Sequence, residues 1–180
     1  MHQLLLLRHA KSSWDDANLP DRERPLNARG RRAAGLIRQA MRDLGLEPDV
    51  VLVSASRRTL ETLELLDPWT ETPLVEPMDS LYLASPPLLY AALHGVAETA
   101  RSVMLIGHNP GLHELALSLL GGKAMGHQEA LHQDPERALT WSFPSGALAE
   151  FVIPGSWSGL SESGGRLVRF LTPRSLERAD

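Results

Sequence analysis

Three short apolar runs punctuate the first two-thirds of the chain, and each is followed at once by polar residues. Residues 3–7 lead into Arg8-His9, "DVVLVS" (49–54) into "ASRRTLET", and "SVMLIG" (102–107) into "HNPG". Continuous apolar runs of this length, without alternation, are the pattern of strands covered on both faces. Between the first two, Ala34, Ile37, Ala40, Met41 and Leu44 recur at helical spacing, with Asn27 as N-cap and Gly45 as stop. Further helices are expected over about 58–66, ending at Pro68, over 87–96, and from "NPGL" to the glycine pair at 121–122.

The polar segment "KSSWDDANLPDRERP" (11–25) reads as a loop. Residues 69–87 show no clear period and read as a long excursion. "KAMGHQEALHQDPER" (123–137) is a polar loop. "ALTWSF" (138–143) and "GALAEFVI" (146–153) are expected as two later strands, and "RLVRFL" (166–171) as a third. Between them 154–165 reads as a flexible connector, and 172–180 as a charged tail. Alternating strands and helices predict a three-layer α/β/α domain over 1–180, with a mostly parallel central sheet and an antiparallel edge strand.

Composition narrows the chemistry. The 180 residues carry a formal net charge of -4, so there is no polycationic footprint, and neither nucleic acid nor a membrane surface is an expected partner. An anion site would have to be built locally from a few arginines. There is no cysteine, which excludes disulfides, thiolate catalysis and cysteine-ligated zinc. "MHQLLLL" lacks a basic start and is too short for an export signal. No stretch approaches the roughly 20 apolar residues that span a bilayer. A cytoplasmic chain is the expectation, with oligomeric state left open.

The three polar clusters all fall at the carboxyl ends of strands, where open α/β sheets bind ligands. Taken singly, each has a plain reading as a surface loop, a solvated first turn or a tight turn. Jointly they suit a phosphoryl group, whose two negative charges match arginine's planar fork. Arg8 and Arg58 could clamp its oxygens, with N–H groups of the helix after Ser56 assisting. One neutral histidine could attack phosphorus and a second, protonated, could stabilise the developing charge, without a metal. His2, His94, His113, His127 and His132 show no ligand spacing and are assigned to core or surface, with His113 facing outward on its helix.

These residues resemble the histidine phosphatase superfamily, with its phosphoglycerate-mutase-like fold. The likeness rests on Arg8-His9, on Ser54, Arg58 and Thr62 at successive spacings of four, and on Gly107-His108 after a buried strand. "RHAKSSW", "RPLNARG" and "GHNPGL" are similar to the small SixA-type phosphohistidine phosphatases. The resemblance implies that His9 is the nucleophile, that Arg8, Arg58 and His108 form the phosphate pocket, and that Ser12, Asp15 and Asn109 line it. Arg57 would sit at the surface or the substrate rim. Many relatives carry a glutamate acid where this chain has Leu83, and Asp15, Asp16, Glu76 and Asp79 are the carboxylates that could replace it. Alcohol leaving groups need a proton donor, worth about 10²–10⁴-fold, more than a phosphoimidazole does. A metal-independent hydrolase acting on protein phosphohistidine is therefore expected, with no cofactor. A small-molecule phosphomonoesterase and an inactive phosphate-binding module are the alternatives.

Overall fold

The computed structural model describes residues 1–121 and 134–178. Strands β1 (His2–Arg8), β2 (Val50–Ser54), β3 (Leu74–Met78), β4 (Ser102–Gly107), β5 (Leu148–Ile153) and β6 (Arg166–Leu171) form one sheet in the order β3-β2-β4-β1-β5-β6. The first four strands pair in parallel. β5 runs antiparallel to both β1 and β6, so the reversed strand lies one in from the edge. Helices α1 (Ala28–Asp43), α2 (Arg57–Glu64), α3 (Pro86–His94), α4 (Gly111–Leu120), α5 (Pro135–Trp141) and α6 (Pro173–Glu177) complete the three layers.

The leucine run at 4–7 is explained by the pleat, which sends successive side chains to opposite faces. Leu5 and Leu7 join Ile37, Met41, Val51, Val53, Met104 and Ile106 in a core beneath α1 and α2. Leu4 and Leu6 join Leu89, Leu93, Val103, Leu105, Leu112 and Leu115 beneath α3 and α4. All four leucines are at most 1% exposed, which fixes β1 as a central strand. Each such burial contributes about 1.5–3 kcal/mol.

Register then does the positioning. Arg8 is opposite Gly107 across β1 and β4, and Val53 is opposite Ile106 across β2 and β4. The carboxyl ends of the three strands are level, which brings His9, Ser54 and His108 to one edge. Gly30 and Gly111 let two helices close on that edge. A Cβ at Gly30 would overlap the Lys11 carbonyl oxygen, and one at Gly111 the Ala84 carbonyl oxygen.

Four segments depart from the sequence pattern. Residues 138–143, expected as a strand, are mostly helical: α5 starts at Pro135, with the Asp134 side chain accepting from the Glu136 N–H. Proline at the first helical position and an aspartate cap outweigh the strand propensity of Thr140 and Phe143. The excursion at 69–87 contains β3, whose Pro77 and exposed residues mask it; an edge strand tolerates both. The connector at 154–165 is pinned by Trp157, fully buried, whose indole N–H donates to the Ala100 carbonyl at 2.8 Å. Its neighbouring backbone N–H groups donate to the Glu98 carboxylate. Within 172–180, Thr172 and Ser175 cap one another's backbone at the start of α6, which packs on α1.

Candidate functional site

The four-residue spacings along 54–62 each have a task. Ser54, the last residue of β2, is 2.7 Å from His108 Nε2 through its hydroxyl. Arg58 is in the first turn of α2 and only 3% exposed. One turn on, the Thr62 hydroxyl donates to the Arg58 carbonyl at 2.7 Å and accepts the Ala10 N–H at 3.0 Å. Helix α2 is thereby tied to the backbone that follows His9.

His9 Nδ1 lies 2.7 Å from the Ala10 carbonyl oxygen. A carbonyl only accepts, so this nitrogen carries the proton and Nε2 keeps its lone pair. The His108 ring is 5.3 Å away between centroids. Its Nδ1 is buried without a protein partner, as is Arg8 Nε, while Asn109 Oδ1 is a third such atom. Arg8 and Asn109 are both held by the Phe143 carbonyl, at 3.1 and 2.9 Å. Buried polar atoms are ordinarily paired, so unmatched ones gathered at one strand edge suit a polar ligand.

Burial, reinforced by the neighbouring Arg58 and Arg8 charges, lowers the His9 pKa to about 4, although the bond to Ala10 works the other way. His108 is lowered to about 3, chiefly by burial and then by His9 and Arg58. Both imidazoles are neutral at pH 7 in this state. The second histidine is thus an uncharged N–H donor here, rather than the cation expected, and a bound dianion would favour its protonation.

Comparison with known proteins places the fold. A model of the histidine phosphatase superfamily (branch 1) matches residues 4–79. The fold also superposes on a structure of the protein histidine phosphatase SixA complexed with tungstate (TM-score 0.74, 25% identity, covering 97% of this chain and 99% of that one). Residues 4–79 thus match the histidine phosphatase superfamily, and the chain as a whole shares the SixA fold. A candidate phosphohistidine phosphatase SixA from Nakamurella multipartitia gives a TM-score of 0.81 at 26% identity, over 96% of both chains. An uncharacterized Mycobacterium tuberculosis protein is 29% identical over 171 residues, 93% of this chain and 100% of its own. An uncharacterized chloroplastic protein of Arabidopsis thaliana is 31% identical over 134 residues; the match spans 66% of this chain and 59% of that relative.

Within this histidine-phosphatase fold, three contributors escaped the sequence reading: Asp21, Arg24 and Tyr82. Asp21 holds Arg58 through its carboxylate at 3.0 Å and its carbonyl at 2.7 Å. The same carboxylate accepts from Arg24 at 2.9 Å and from the Tyr82 hydroxyl. Arg24 also donates to Ser12 Oγ at 2.6 Å and stacks over Trp14. Tyr82 sets its ring edge against His108, 5.4 Å between centroids. The only sequence signal was the density of charge in "DRER", which in an isolated loop reads as solvation.

The other expected residues divide. Ser12 is buried and bound to Arg24, whereas Asp15 and Asp16 are exposed. Arg57 is exposed and pairs with Glu61 at 3.1 Å. Leu83 is exposed in a left-handed conformation (φ 48°), beside Tyr82 rather than a carboxylate. Asp79 pairs with Arg22, and Glu76 is exposed on β3. Asp21 is the carboxylate within reach of Arg58, but the Tyr82 hydrogen bond, helped by Arg24 and Arg58, holds it far below the usual range and so ionised. His113, expected to face outward, instead meets the Leu139 carbonyl at 2.7 Å and packs near Phe143, because α5 covers that face of α4. His2 sits between Trp157 and Glu98, and His94 meets the Leu160 carbonyl. His127 and His132 lie outside the described residues. Among the described residues no three metal-ligating side chains converge.

The depressed histidines couple folding to acid. In the unfolded chain both titrate near 6.5, so below that pH the unfolded state binds protons that the folded state does not. Stability is fully present above pH 6.5 and falls as pH drops toward 4. His9 alone contributes a loss on the order of 3 kcal/mol across that window. Thermal melts from pH 7.5 to 4.5 should show a falling Tm, with a shallower slope in His9→Asn. Equal slopes would show that His9 does not titrate this way.

Proposed function

We propose that the chain hydrolyses a phosphoryl group through a covalent phosphohistidine on His9, and that its substrate is a phosphohistidine side chain of another protein. The observation that carries the reading is His9 itself: proton fixed on Nδ1 by Ala10, lone pair left on Nε2, and Arg8, Arg58 and His108 around it.

In this mechanism His9 Nε2 attacks phosphorus in line, and the P–N bond to the substrate imidazole breaks. Arg8 and Arg58 hold the equatorial oxygens, and His108 Nδ1 donates to one of them. Arg58 has N–H groups left over after its two bonds to Asp21. A departing imidazole takes its proton from solvent or arrives already protonated. Water then attacks the phosphorus on His9, releasing inorganic phosphate and restoring the lone pair. The chemistry uses these side chains without a metal, in a single cytoplasmic domain.

The P–N preference is supported by the lack of a suitable acid among the described residues. Asp21 is locked as an anion, Leu83 stands where the family resemblance would put a glutamate, and Asp15, Asp16, Glu76 and Asp79 are exposed. The test compares a chemically phosphorylated histidine peptide with a panel of alkyl phosphate monoesters. The peptide should exceed every monoester in kcat/KM by about 10²-fold or more. Monoesters preferred by orders of magnitude would instead identify a phosphomonoesterase. Absence of turnover on all of them, together with tight tungstate binding, would identify a phosphate-binding module.

A further inference from the structure

An open cleft of about 630 Å3 lies beside the phosphate pocket and shares Arg8 with it. Beyond Arg8, its charged lining comes from three segments: Lys11 after β1, Arg29 and Arg32 from the first turns of α1, and Arg174 with Glu177 from α6. Arg29 and Arg32 are three residues apart, so they share one helix face. Lys11, Arg29, Arg32 and Arg174 are exposed, and among the described residues none of them is ion-paired. Other arginines nearby are matched: Arg31 and Arg57 with Glu61, and Arg22 with Asp79. Among the described residues Glu177 is the one acidic lining residue. In a chain of net charge -4, this cleft opposes the sign of the whole. A concave surface lined by one sign of charge focuses its field on an approaching partner.

We propose that the cleft docks an acidic polypeptide segment, the Asp or Glu side chains that flank the phosphorylated residue of a protein substrate. This rests on the reading of the site as acting on a protein. The arrangement of the cations favours carboxylates strung along a chain over a second phosphate of a small molecule. A compact anion is best held by converging, desolvated donors, as Arg58 and Arg24 hold Asp21. The cleft cations are instead exposed, on long stems, and come from three segments. Such rim charges steer a protein and set its register more than they trap an ion. Arg8, common to pocket and cleft, makes the two continuous, so a segment in the cleft leads to the phosphoryl group.

The test uses two phosphohistidine peptides of equal length, flanked by glutamates or by glutamines. They are compared on the wild-type chain and on the triple variant Arg29→Ala/Arg32→Ala/Arg174→Ala, with free phosphohistidine as control. The glutamate peptide should show about tenfold higher kcat/KM, mostly through KM. In the triple variant, or at high salt, that preference should fall to within about twofold. Hydrolysis of free phosphohistidine should not change. Equal kcat/KM for both peptides in the wild type, or a preference undiminished in the variant, overturns the proposal. Binding of the unphosphorylated glutamate peptide, followed by fluorescence anisotropy, decides the cleft separately from turnover. If neither phosphopeptide is hydrolysed, the functional reading fails. The cleft still stands if the wild type binds the peptide about tenfold more tightly than the variant, and falls if the affinities are equal. Tight binding of inorganic pyrophosphate that the triple variant loses, without any peptide preference, would assign the cleft to a second phosphate.

Discussion

Replacing His9 with alanine should lower kcat by about 10⁴-fold or more on any phosphorylated substrate, because the variant lacks the proposed nucleophile that accepts the group. The pocket cations stay, so the variant should still bind tungstate, a tetrahedral dianion, within roughly tenfold of the wild type. Rapid mixing with a phosphohistidine peptide and an acid-free quench should trap label on the wild-type chain and none on His9→Ala. The fold should persist. His9 makes one side-chain bond, to the Ala10 carbonyl, whose loss costs about 1 kcal/mol. The neutral buried ring also carries an acid penalty that disappears with it. Near-native turnover in a folded His9→Ala protein would refute the covalent route altogether.

The second large effect is expected at Arg58, because one guanidinium serves both the proposed phosphate pocket and the fold. Arg58→Ala should reduce kcat/KM by about 10²–10³-fold, the scale for removing one preorganised donor from a developing charge. Arg58→Lys should recover only a minor part, since an ammonium cannot reproduce the planar fork. Unlike the change at His9, this one also costs stability. Arg58 is buried, but its partner Asp21 is 43% exposed at the side chain, so solvent screens the pair and the loss is about 1–2 kcal/mol. Asp21 then loses one partner and its pKa should rise toward the ordinary carboxylate value. Because its folded pKa is depressed, Asp21 stabilises the chain above about pH 4, and that contribution is lost as pH falls through the folded value. In Arg58→Ala the loss should begin at higher pH. An NMR titration of Asp21 beside urea melts separates the two effects. An unmoved Asp21 pKa would mean that the ion pair does not persist in solution.

Strand-end chemistry was legible in the sequence because it depends on short-range pattern. A short unbroken apolar run of β-branched and leucine residues fits a strand buried on both faces, and the residue after such a strand emerges at the sheet edge. That reasoning locates Arg8-His9 and Gly107-His108 with no knowledge of the partner strands. Ser54, Arg58 and Thr62 were picked out by the resemblance to the histidine phosphatase signature, although their separate tasks were not. The segments that misled it had local signals outweighed by distant contacts. Phe143 and Thr140 favour a strand by propensity, yet Asp134 and Pro135 start a helix. The loop at 154–165 looks flexible until Trp157 finds the Ala100 carbonyl.

The sequence by itself determined the layered α/β class, the three strand-end clusters and the identity of the two histidines and two arginines. It could do so because burial and periodicity act on neighbouring residues. The tertiary structure alone decided the state of those groups. His9 is neutral because the fold removes it from water near the Arg58 and Arg8 charges, and the Ala10 carbonyl holds its proton on Nδ1. Asp21 and Tyr82, separated by 61 residues, meet only when the loop at 11–25 and the excursion at 69–87 fold over the same strand edge, and together they fix Arg58. The cationic cleft is of the same kind, assembled from Lys11, α1 and α6. Charge, tautomer and convergence depend on desolvation and on distances across the fold, and a linear pattern carries neither.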